Sequence, residues 1–310
     1  MRPGWVFVGY TDETKGRTQD MQPEPGDKSV QVTVDDVAAG VRSVGVGSGD
    51  LVMFHSSLSS MGHVCGGANS VIEGFRQAVG PEGTVAVPTL WWDGSQDLAA
   101  WDYDHSPSYP GIITEVFRQR PDSIRSNNPT HSVSAIGPRA AELTADHGKW
   151  GLRPCMFGDE AFAAASPWER LYQWNAHYCF LGVDFTVNTM AHNGQCRLIE
   201  WALQQAPPDR RADLDQRVSR FATVVEYYRQ SRAGLTPTVA FVWPMFDFRL
   251  MGEHLAELGL VRFGKIGSAT IRAIRSRDMI DTILTTLKAE PEQWLPEQFL
   301  AWWHEALGEQ

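Results

Sequence analysis

Apolar residues along the chain occur in two patterns, short unbroken runs and longer stretches with helical spacing. The short runs end at polar or glycine-rich turns, which is typical of buried strands. They lie at residues 50–55, 84–88 and 178–183. The stretches with apolar residues three and four positions apart predict amphipathic helices. They lie at residues 34–44, 68–79 and 112–120. Strand, loop, helix and strand in this order predict a crossover unit in a sheet with some parallel pairing.

The second half of the chain is richer in helical pattern. A helix that follows residue 192 is expected to end at Pro207-Pro208, because proline cannot continue a helix. Residues 205–235 are charged and helical in pattern, which favours a helical insertion or a lid over a cleft. The stretch 261–266 predicts a strand, and Gly267-Ser268-Ala269 is expected to lead into a helix. Two closing helices are predicted at 278–288 and 296–307.

The N-terminal segment differs from the rest of the chain. Residues 1–30 mix Gly, Pro and charged residues without a period, which indicates a flexible extension. Thr33 is a candidate N-cap for the first helix. We therefore expect one domain over residues 31–310, preceded by this extension.

Composition narrows the class of protein. The chain has 310 residues, of which 43% are apolar and 21% are charged, as in soluble globular proteins. No apolar run approaches the ~18 residues of a membrane-spanning helix, and no secretory signal is recognised, so a cytoplasmic protein without membrane contact is expected. The net charge of −10 argues against nucleic acid as a partner. It suits a cationic substrate, and it is equally explained by solubility.

Several common chemistries have no signature in the sequence. The four cysteines are scattered and form no Cys-x-x-Cys pair, so neither a zinc site nor another metal site is predicted. The phosphate-loop pattern, the G-x-S-x-G elbow and the H-E-x-x-H motif are absent. Nucleoside triphosphate chemistry and serine hydrolysis of that type are therefore not indicated.

A serine-rich loop is the first positive signal. His55-Ser56-Ser57-Leu58-Ser59-Ser60-Met61-Gly62 follows a predicted strand, and Gly66-Gly67 opens a predicted helix. Such a loop exposes hydroxyls and backbone N–H groups at a positive helix N-terminus, which suits a pyrophosphate or a polar tether. Loops of this composition are also common for structural reasons alone.

Ordered blocks of sequence resemble the aminoglycoside 3-N-acetyltransferase family, also called antibiotic N-acetyltransferases. The resemblance spans roughly residues 34–290, and its blocks follow one another in the family's order. The blocks are Leu51 to Pro88, Asn128 to Gly137, Ser166-Pro167, Leu181 to Asp184 with Asn188-Thr189 and His192, and Gly264 to Ala269.

The resemblance implies acetyl-CoA as co-substrate, held by the serine-rich loop and by a basic-polar pair. The cofactor-binding residues it implies are His55, Ser56, Ser57, Leu58, Gly62, Val64, Gly66, Gly67, Arg125, Ser126, Thr130 and Ser132. Of these, Arg125 is the residue suited to phosphate, because a guanidinium is always charged and donates in a fork.

The resemblance also implies that His192 is the general base. An imidazole with a pKa near ~6.5 accepts a proton from an attacking amine at neutral pH. The family pattern places Glu three residues later, where this chain has Gln195, which hydrogen-bonds but carries no charge. Asp184 is a candidate substitute partner for the histidine, and Glu200 is a second candidate for that role. The candidate substrate-binding residues are Asp93, Thr189 and Glu200.

The implied fold is α/β, a mixed central sheet flanked by helices, distinct from the common small N-acetyltransferase fold. The implied activity is transfer of an acetyl or other acyl group from acyl-CoA to a primary amine of an aminoglycoside-like or natural-product substrate, in resistance or in biosynthesis, by a monomer or homodimer. Two alternatives stay open. One is a hydrolase, cyclase or carrier-protein-dependent enzyme on the same scaffold, and the other is a non-catalytic binding protein.

Overall fold

The computed structural model describes residues 25–92, 94, 96–236 and 238–308. Nine strands are present in this part of the chain. They are β1 (Gln31–Val32), β2 (Leu51–Ser56), β3 (His63–Val64), β4 (Thr84–Pro88), β5 (Ile124–Arg125), β6 (Val133–Ile136), β7 (His177–Leu181), β8 (Arg262–Ile266) and β9 (Ala269–Arg275).

Twelve α-helices are present in the described residues, with short 3-10 turns at Leu58–Met61, Leu98–Ala100 and Phe185–Val187. The helices are α1 (Val34–Ser43), α2 (Ala68–Val79), α3 (Ile112–Arg118), α4 (Ala140–Thr144), α5 (Pro167–Gln173), α6 (Met190–Gln205), α7 (Arg211–Arg217), α8 (Phe221–Arg232), α9 (Phe248–Glu257), α10 (Ser276–Ala289), α11 (Pro291–Trp294) and α12 (Glu297–Leu307).

Seven strands form one mixed sheet in the order β5-β6-β4-β2-β7-β9-β8. The central β2 pairs in parallel with both β4 and β7, whereas the outer pairs are antiparallel. A short parallel pair, β1 with β3, stands apart from this sheet. The predicted α/β class with a mixed central sheet is confirmed.

Residues along β2 alternate between two apolar layers. Val52 and Phe54 pack into the layer that α1, α2 and α3 cover. Leu51 and Met53 pack into the opposite layer with residues of α6, α10 and α12. Both faces of the sheet are therefore buried, which explains why its central strands read as unbroken apolar runs.

Helix α1 begins where its capping residue predicts. The Thr33 hydroxyl accepts from the Asp36 N–H at 3.2 Å, and the Asp36 carboxylate accepts from the Thr33 N–H at 2.9 Å. This reciprocal pair satisfies two backbone donors that the helix itself cannot.

The predicted flexible extension lies mostly outside the described residues, since 1–24 are not described. Its described end is bound to the fold. The Gly26 N–H donates to Ser59 O at 2.8 Å, and the Asp27 N–H donates to Ser268 Oγ at 3.2 Å. Folded structure thus begins before residue 30, earlier than predicted.

Two boundaries in the second half differ from prediction. Gly267-Ser268 turns the chain into strand β9, and the helix starts only at Ser276, so the helix expected at residue 269 was wrong. The segment before His192, expected to be a loop, already contains the start of α6. In both places tertiary packing overrides weak local propensity: β9 pairs with β7 and β8, and α6 starts two residues before His192.

The predicted insertion, residues 205–235, forms α7 and α8. Its side chains Leu214, Val218 and Val224 are buried in the same apolar layer as α6. Trp302 of α12 donates its indole N–H to Leu214 O at 2.9 Å. The segment is therefore packed on the domain over part of its length.

Candidate active site

The carboxyl ends of β2, β4 and β7 meet at one edge of the sheet because these three strands are parallel. Three loops leave this edge, at residues 57–67, 89–111 and 182–189. Ligands in open α/β sheets bind at such an edge. The serine-rich loop and the turn that leads to His192 are thus neighbours.

Close contact between Gly182 and Ser60 joins those two loops. A Cβ at Gly182 would lie 1.7 Å from Ser60 Oγ, and the Gly182 φ of +67° also disfavours other residues. The Ser57 N–H donates to Leu181 O at 2.9 Å. The first turn of the serine-rich loop is therefore fixed against the end of β7.

Helix α2 begins without a side-chain cap. Its N-cap residue is Gly67, with φ +63°. Apart from the adjoining residues and the helix's own backbone, no atom of the described residues lies within 4 Å of the position that a Cβ there would occupy. Gly66 also has a positive φ, of +83°. An uncapped helix N-terminus with open space before it is the arrangement that accepts an anion.

Other candidates from the loop face inward. His55 and Val64 are 7% and 8% exposed, and Leu58 packs on the α1–α2 layer. Gly62 is closed in by the backbone oxygens of Asp27 and Val30. Burial leaves these residues little surface for a co-substrate.

Arg125 is a link between loops. Its Nε donates to Ser132 Oγ at 3.1 Å, its Nη1 to Ser106 O at 2.6 Å and its Nη2 to Thr89 O at 2.5 Å. Burial lowers the pKa of Arg125 to about 10. A guanidinium held in this way has little capacity left for a phosphate, so the structure does not favour the cofactor role that the resemblance implies for it.

The other members of that block are also engaged in internal bonds. Ser126 Oγ lies 2.9 Å from His147 Nδ1 and accepts from the Val133 N–H. The Thr130 hydroxyl donates to Phe157 O at 2.9 Å. Ser126, Ser132 and Thr130 are at most 3% exposed, so they shape the wall behind the loops.

His192 is the third residue of α6 and is 3% exposed. Aromatic rings surround it, with centroid distances of 4.7 Å to Phe157, 5.3 Å to Phe248 and 6.0 Å to Phe162. His131 stands edge-on to it at 6.0 Å. The imidazole thus lies in an apolar enclosure at the start of a helix.

Gln195 is the hydrogen-bond partner of His192. His192 Nδ1 lies 2.7 Å from Gln195 Oε1, as the spacing of three residues on one helix face allows. Nε2 of the same ring has no hydrogen-bond partner among the described residues. The structure therefore brings His192 and Gln195 together, as predicted for the catalytic pair.

Burial lowers the pKa of His192 to about 4, and the hydrogen bond to Gln195 opposes that shift only in part. The positive end of the α6 dipole also disfavours an imidazolium in the first turn. The ring is consequently neutral at pH 7, with a lone pair available for a proton.

Asp184 does not contact His192. Its carboxylate caps the short turn that follows, accepting from the N–H of Thr186 at 2.9 Å. The predicted role of Asp184 as partner of the histidine is therefore not supported, because its carboxylate accepts from the backbone N–H and the hydroxyl of Thr186 instead.

The candidate substrate residues fall in different places. Thr189 is buried at the N-cap position of α6, three residues before His192. Glu200 lies about 12 Å along α6 from His192, by the helix rise of about 1.5 Å per residue. Its carboxylate accepts from Arg153 Nε at 2.9 Å. It forms part of the wall of a cavity of about 470 Å³ beside α7. Asp93 lies outside the described residues.

Sequence reasoning missed two residues at this site. Trp243 donates its indole N–H to Gln195 Oε1 at 3.0 Å, and Pro244 O accepts from Gln195 Nε2 at 2.9 Å. Both lie almost fifty positions along the chain from Gln195. No local motif marks them, so only the fold reveals them.

His131 was also left without a role. It belongs to the block Asn128 to Gly137, and its Nδ1 is a buried nitrogen with no hydrogen-bond partner in the described structure. Burial and the neighbouring His192 hold the pKa of His131 well below its usual range. It contributes a second neutral imidazole to the enclosure.

Neither a metal centre nor a membrane span is found in the part of the chain that the structure describes. No group of three or more His, Cys, Asp or Glu side chains there is arranged to hold a metal ion. No described helix is long and apolar enough to cross a membrane.

The chain is thus an α/β protein with a mixed central sheet. An uncapped helix N-terminus and a buried neutral histidine lie at the carboxyl ends of its central strands. The family model for aminoglycoside 3-N-acetyltransferase matches residues 53–288. The chain belongs to this family, whose members are N-acyltransferases.

Two curated relatives illustrate the likeness in sequence. Aminoglycoside N(3)-acetyltransferase III of Serratia marcescens is 30% identical over 281 residues, which cover 83% of this chain and 97% of the relative. Aminoglycoside N(3)-acetyltransferase VII of Streptomyces paromomycinus is 28% identical over 277 residues, covering 81% of this chain and 89% of the relative. The chain thus spans most of the length of both.

Solved structures share the fold. YokD of Bacillus subtilis superimposes with a TM-score of 0.62 at 21% identity, covering 86% of this chain and 97% of that chain. AAC-IIIb, solved as a binary complex with CoASH, gives 0.59 at 20% identity, covering 84% and 97%. A histidine-to-alanine mutant of AAC(3)-IVa in complex with apramycin gives 0.57 at 23% identity, covering 87% and 95%. The family's fold, expected from the sequence, is confirmed.

Proposed function

We propose that this protein transfers an acetyl group from acetyl-CoA to a primary amine, with His192 as the general base. The observation that carries the proposal is the neutral His192 ring, which is bonded through Nδ1 to Gln195 and has Nε2 without a partner in the described structure. A thioester carbon can be attacked only by an amine that has lost a proton, and Nε2 is suited to accept it.

The transfer is direct, without an acyl-enzyme. The amine nitrogen bonds to the thioester carbon, the C–S bond breaks, and coenzyme A leaves as a thiolate that takes up a proton. His192 removes the proton that the amine loses, while its Nδ1 stays bonded to Gln195. Cys196 is an unsuitable nucleophile because burial raises the pKa of its thiol well above the usual range.

Acetyl-CoA binds across the serine-rich loop and the N-terminus of α2. The uncapped Gly67 and the open space before it support this placement, since a pyrophosphate is stabilised by backbone N–H groups and by the helix dipole. The relative solved with CoASH supports the choice of co-substrate. Of the residues that the resemblance implies, Ser57, Gly66 and Gly67 remain the best placed.

The acceptor is an aminoglycoside or another amine natural product. Relatives named for N(3)-acetylation of aminoglycosides support the first, and one of the solved structures holds apramycin. The aromatic rings around His192 and the uncharged Gln195 favour an acceptor that carries fewer charged groups beside its reacting amine than an aminoglycoside does. The net charge of −10 attracts cationic amines in either case.

The test is thiol release from acetyl-CoA over a panel of aminoglycosides and simpler amines, comparing the wild type with His192→Ala. We expect turnover with at least one amine and a loss of kcat/KM of roughly 10²–10⁴-fold in the variant, the range for a general base. His304→Ala is the matched control, because His304 lies on α12 and its side chain is 37% exposed.

Three outcomes would contradict the proposal. Turnover retained by His192→Ala would remove the histidine from the mechanism. Thiol release without an acetylated amine would indicate a hydrolase, and tight acetyl-CoA or amine binding without turnover by any panel member would indicate a binding protein.

A further inference from the structure

Trp243 follows the helical insertion in the chain and contacts the candidate site. It lies between α8 and α9, is 0% exposed, and donates its indole N–H to Gln195 Oε1 at 3.0 Å. The neighbouring carbonyl of Pro244 accepts from Gln195 Nε2 at 2.9 Å. The side-chain amide of Gln195 is therefore bound at both of its ends.

These two contacts admit one orientation of the amide. An indole N–H only donates and a backbone carbonyl only accepts. A flipped amide would direct its NH₂ group at the Trp243 N–H and its oxygen at the Pro244 oxygen. Both hydrogen bonds would be lost and two buried polar groups would be left facing like groups, which is costly.

The orientation of the amide decides the tautomer of His192. Because Gln195 Oε1 faces His192 Nδ1 at 2.7 Å and only accepts, Nδ1 must carry the ring proton. Nε2 is then the lone-pair nitrogen. With the amide reversed, its NH₂ group would donate to Nδ1, the proton would reside on Nε2, and the ring would be unable to accept a proton from an amine.

We infer that Trp243 is a positioning residue that fixes the Nδ1–H tautomer of His192 by holding the Gln195 amide in one orientation. Its effect on catalysis rests on the proposed function, whereas the tautomer itself does not. In this chain a neutral relay of indole, amide and imidazole does the orienting that a carboxylate would otherwise do.

The helical insertion keeps Trp243 in place. Ser219, at the junction of α7 and α8, binds Val242 twice, because the Ser219 N–H donates to Val242 O at 3.0 Å and the Val242 N–H donates to Ser219 Oγ at 2.9 Å. Arg220 next to it forms an ion pair with Asp159 at 3.4 Å. Segment 205–235 thus helps to position Trp243, and through it Gln195 and His192.

The tautomer of His192 can be determined without substrate, by ¹⁵N NMR at pH 7.5 of protein whose histidines are labelled with ¹⁵N. We expect His192 in the wild type to show a protonated Nδ1 and an unprotonated Nε2. In Trp243→Phe, which keeps the aromatic bulk and removes the donor, we expect a mixture with the Nε2–H form. A wild type in the Nε2–H form, or a variant with an unchanged tautomer, would overturn the inference.

Gln195→Glu supplies a rescue that a merely structural role would not give. An ionised carboxylate accepts through either oxygen, so no donor is needed to orient it. We expect the double variant Trp243→Phe with Gln195→Glu to regain the Nδ1–H form. A double variant that shows the same mixture as Trp243→Phe would also count against the inference.

Kinetics and a matched control complete the test. We expect Trp243→Phe to lower kcat by about tenfold, the effect of one lost hydrogen bond of ordinary strength, with the KM for acetyl-CoA unchanged. Trp302→Phe is the control, since Trp302 is equally buried and also donates its indole N–H, but to Leu214 O. It should lose stability without a change in tautomer or kcat.

The inference and the proposed function fail in different ways. An Nδ1–H wild type and a mixed Trp243→Phe variant, in a protein without any turnover, would uphold the positioning and remove the function. If Trp243→Phe does not fold, Gln195→Leu decides, because it removes the acceptor and should release His192 to the Nε2–H form. An Nδ1–H ring in Gln195→Leu would overturn the inference.

Discussion

Two buried histidines on the same side of the sheet show what separates a structural imidazole from a candidate base. His55 lies within β2, where its Nε2 is 2.7 Å from the Tyr178 hydroxyl and its ring stacks on Phe180 at 5.7 Å. His192 lies at the start of α6, beyond the end of β7. Burial lowers both pKa values, to about 3 for His55 and about 4 for His192.

The difference lies in the ring nitrogen Nε2. Nε2 of His55 is hydrogen-bonded to the buried Tyr178 hydroxyl and is therefore already engaged. Nε2 of His192 meets no such partner in the described structure. A lowered pKa is therefore common to both histidines, and the ring nitrogen without a partner in the described structure is what distinguishes His192 as the candidate base.

The largest expected effect comes from replacing His192 by Phe. The new ring fits among Phe157, Phe162 and Phe248, so the protein should stay folded while kcat/KM falls by roughly 10²–10⁴-fold. Thiol release and a thermal melt, measured on the same sample, check this. A variant that loses activity only as it loses folded protein would break the comparison.

The same replacement at His55 should have the opposite result. Phe at position 55 leaves the buried Tyr178 hydroxyl without its hydrogen-bond partner, which lowers the free energy of unfolding by about 1–3 kcal/mol. We expect kcat per folded molecule to change by less than about threefold, which corresponds to less than about 1 kcal/mol of activation free energy. Urea unfolding gives the first quantity and active-site-normalised kinetics the second. A loss of kcat as large as in His192→Phe would show that the two histidines do not differ in role.

A smaller and more specific effect is expected for Gln195→Glu. An ionised carboxylate beside Nδ1 favours the imidazolium, so the pKa of His192 rises from about 4. The acid limb of the pH profile of kcat/KM should therefore move to higher pH, and relative activity near pH 6 should fall. An unmoved acid limb would mean that the carboxylate is protonated or turned away from the ring.

Local sequence patterns predicted much of the fold, for identifiable reasons. The runs in β2, β4 and β7 are apolar throughout because both sheet faces are buried, and Thr33 caps α1 through a short-range motif. Strand β9 was missed because its residues read as helical until β7 and β8 pair with them.

The site was predicted only where it follows a motif. His192 and Gln195 were identified through the resemblance, and their spacing on α6 puts them in contact. Asp184 was chosen for its charge, and its carboxylate instead accepts from the N–H of Thr186. Arg125 was chosen for phosphate, and it instead joins Ser132 to two parts of the loop at residues 89–111. Trp243 reaches Gln195 only through the packing of the helical insertion, which no local pattern encodes.

The most direct measurement is a ¹⁵N NMR titration of His192 in the wild type between pH 8 and pH 5. The account predicts that His192 keeps one neutral, Nδ1-protonated form across this range, while an ordinary solvent-exposed histidine titrates near ~6.5. A His192 that becomes an imidazolium near that pH would show a solvated, charged ring. That result would contradict a buried neutral base.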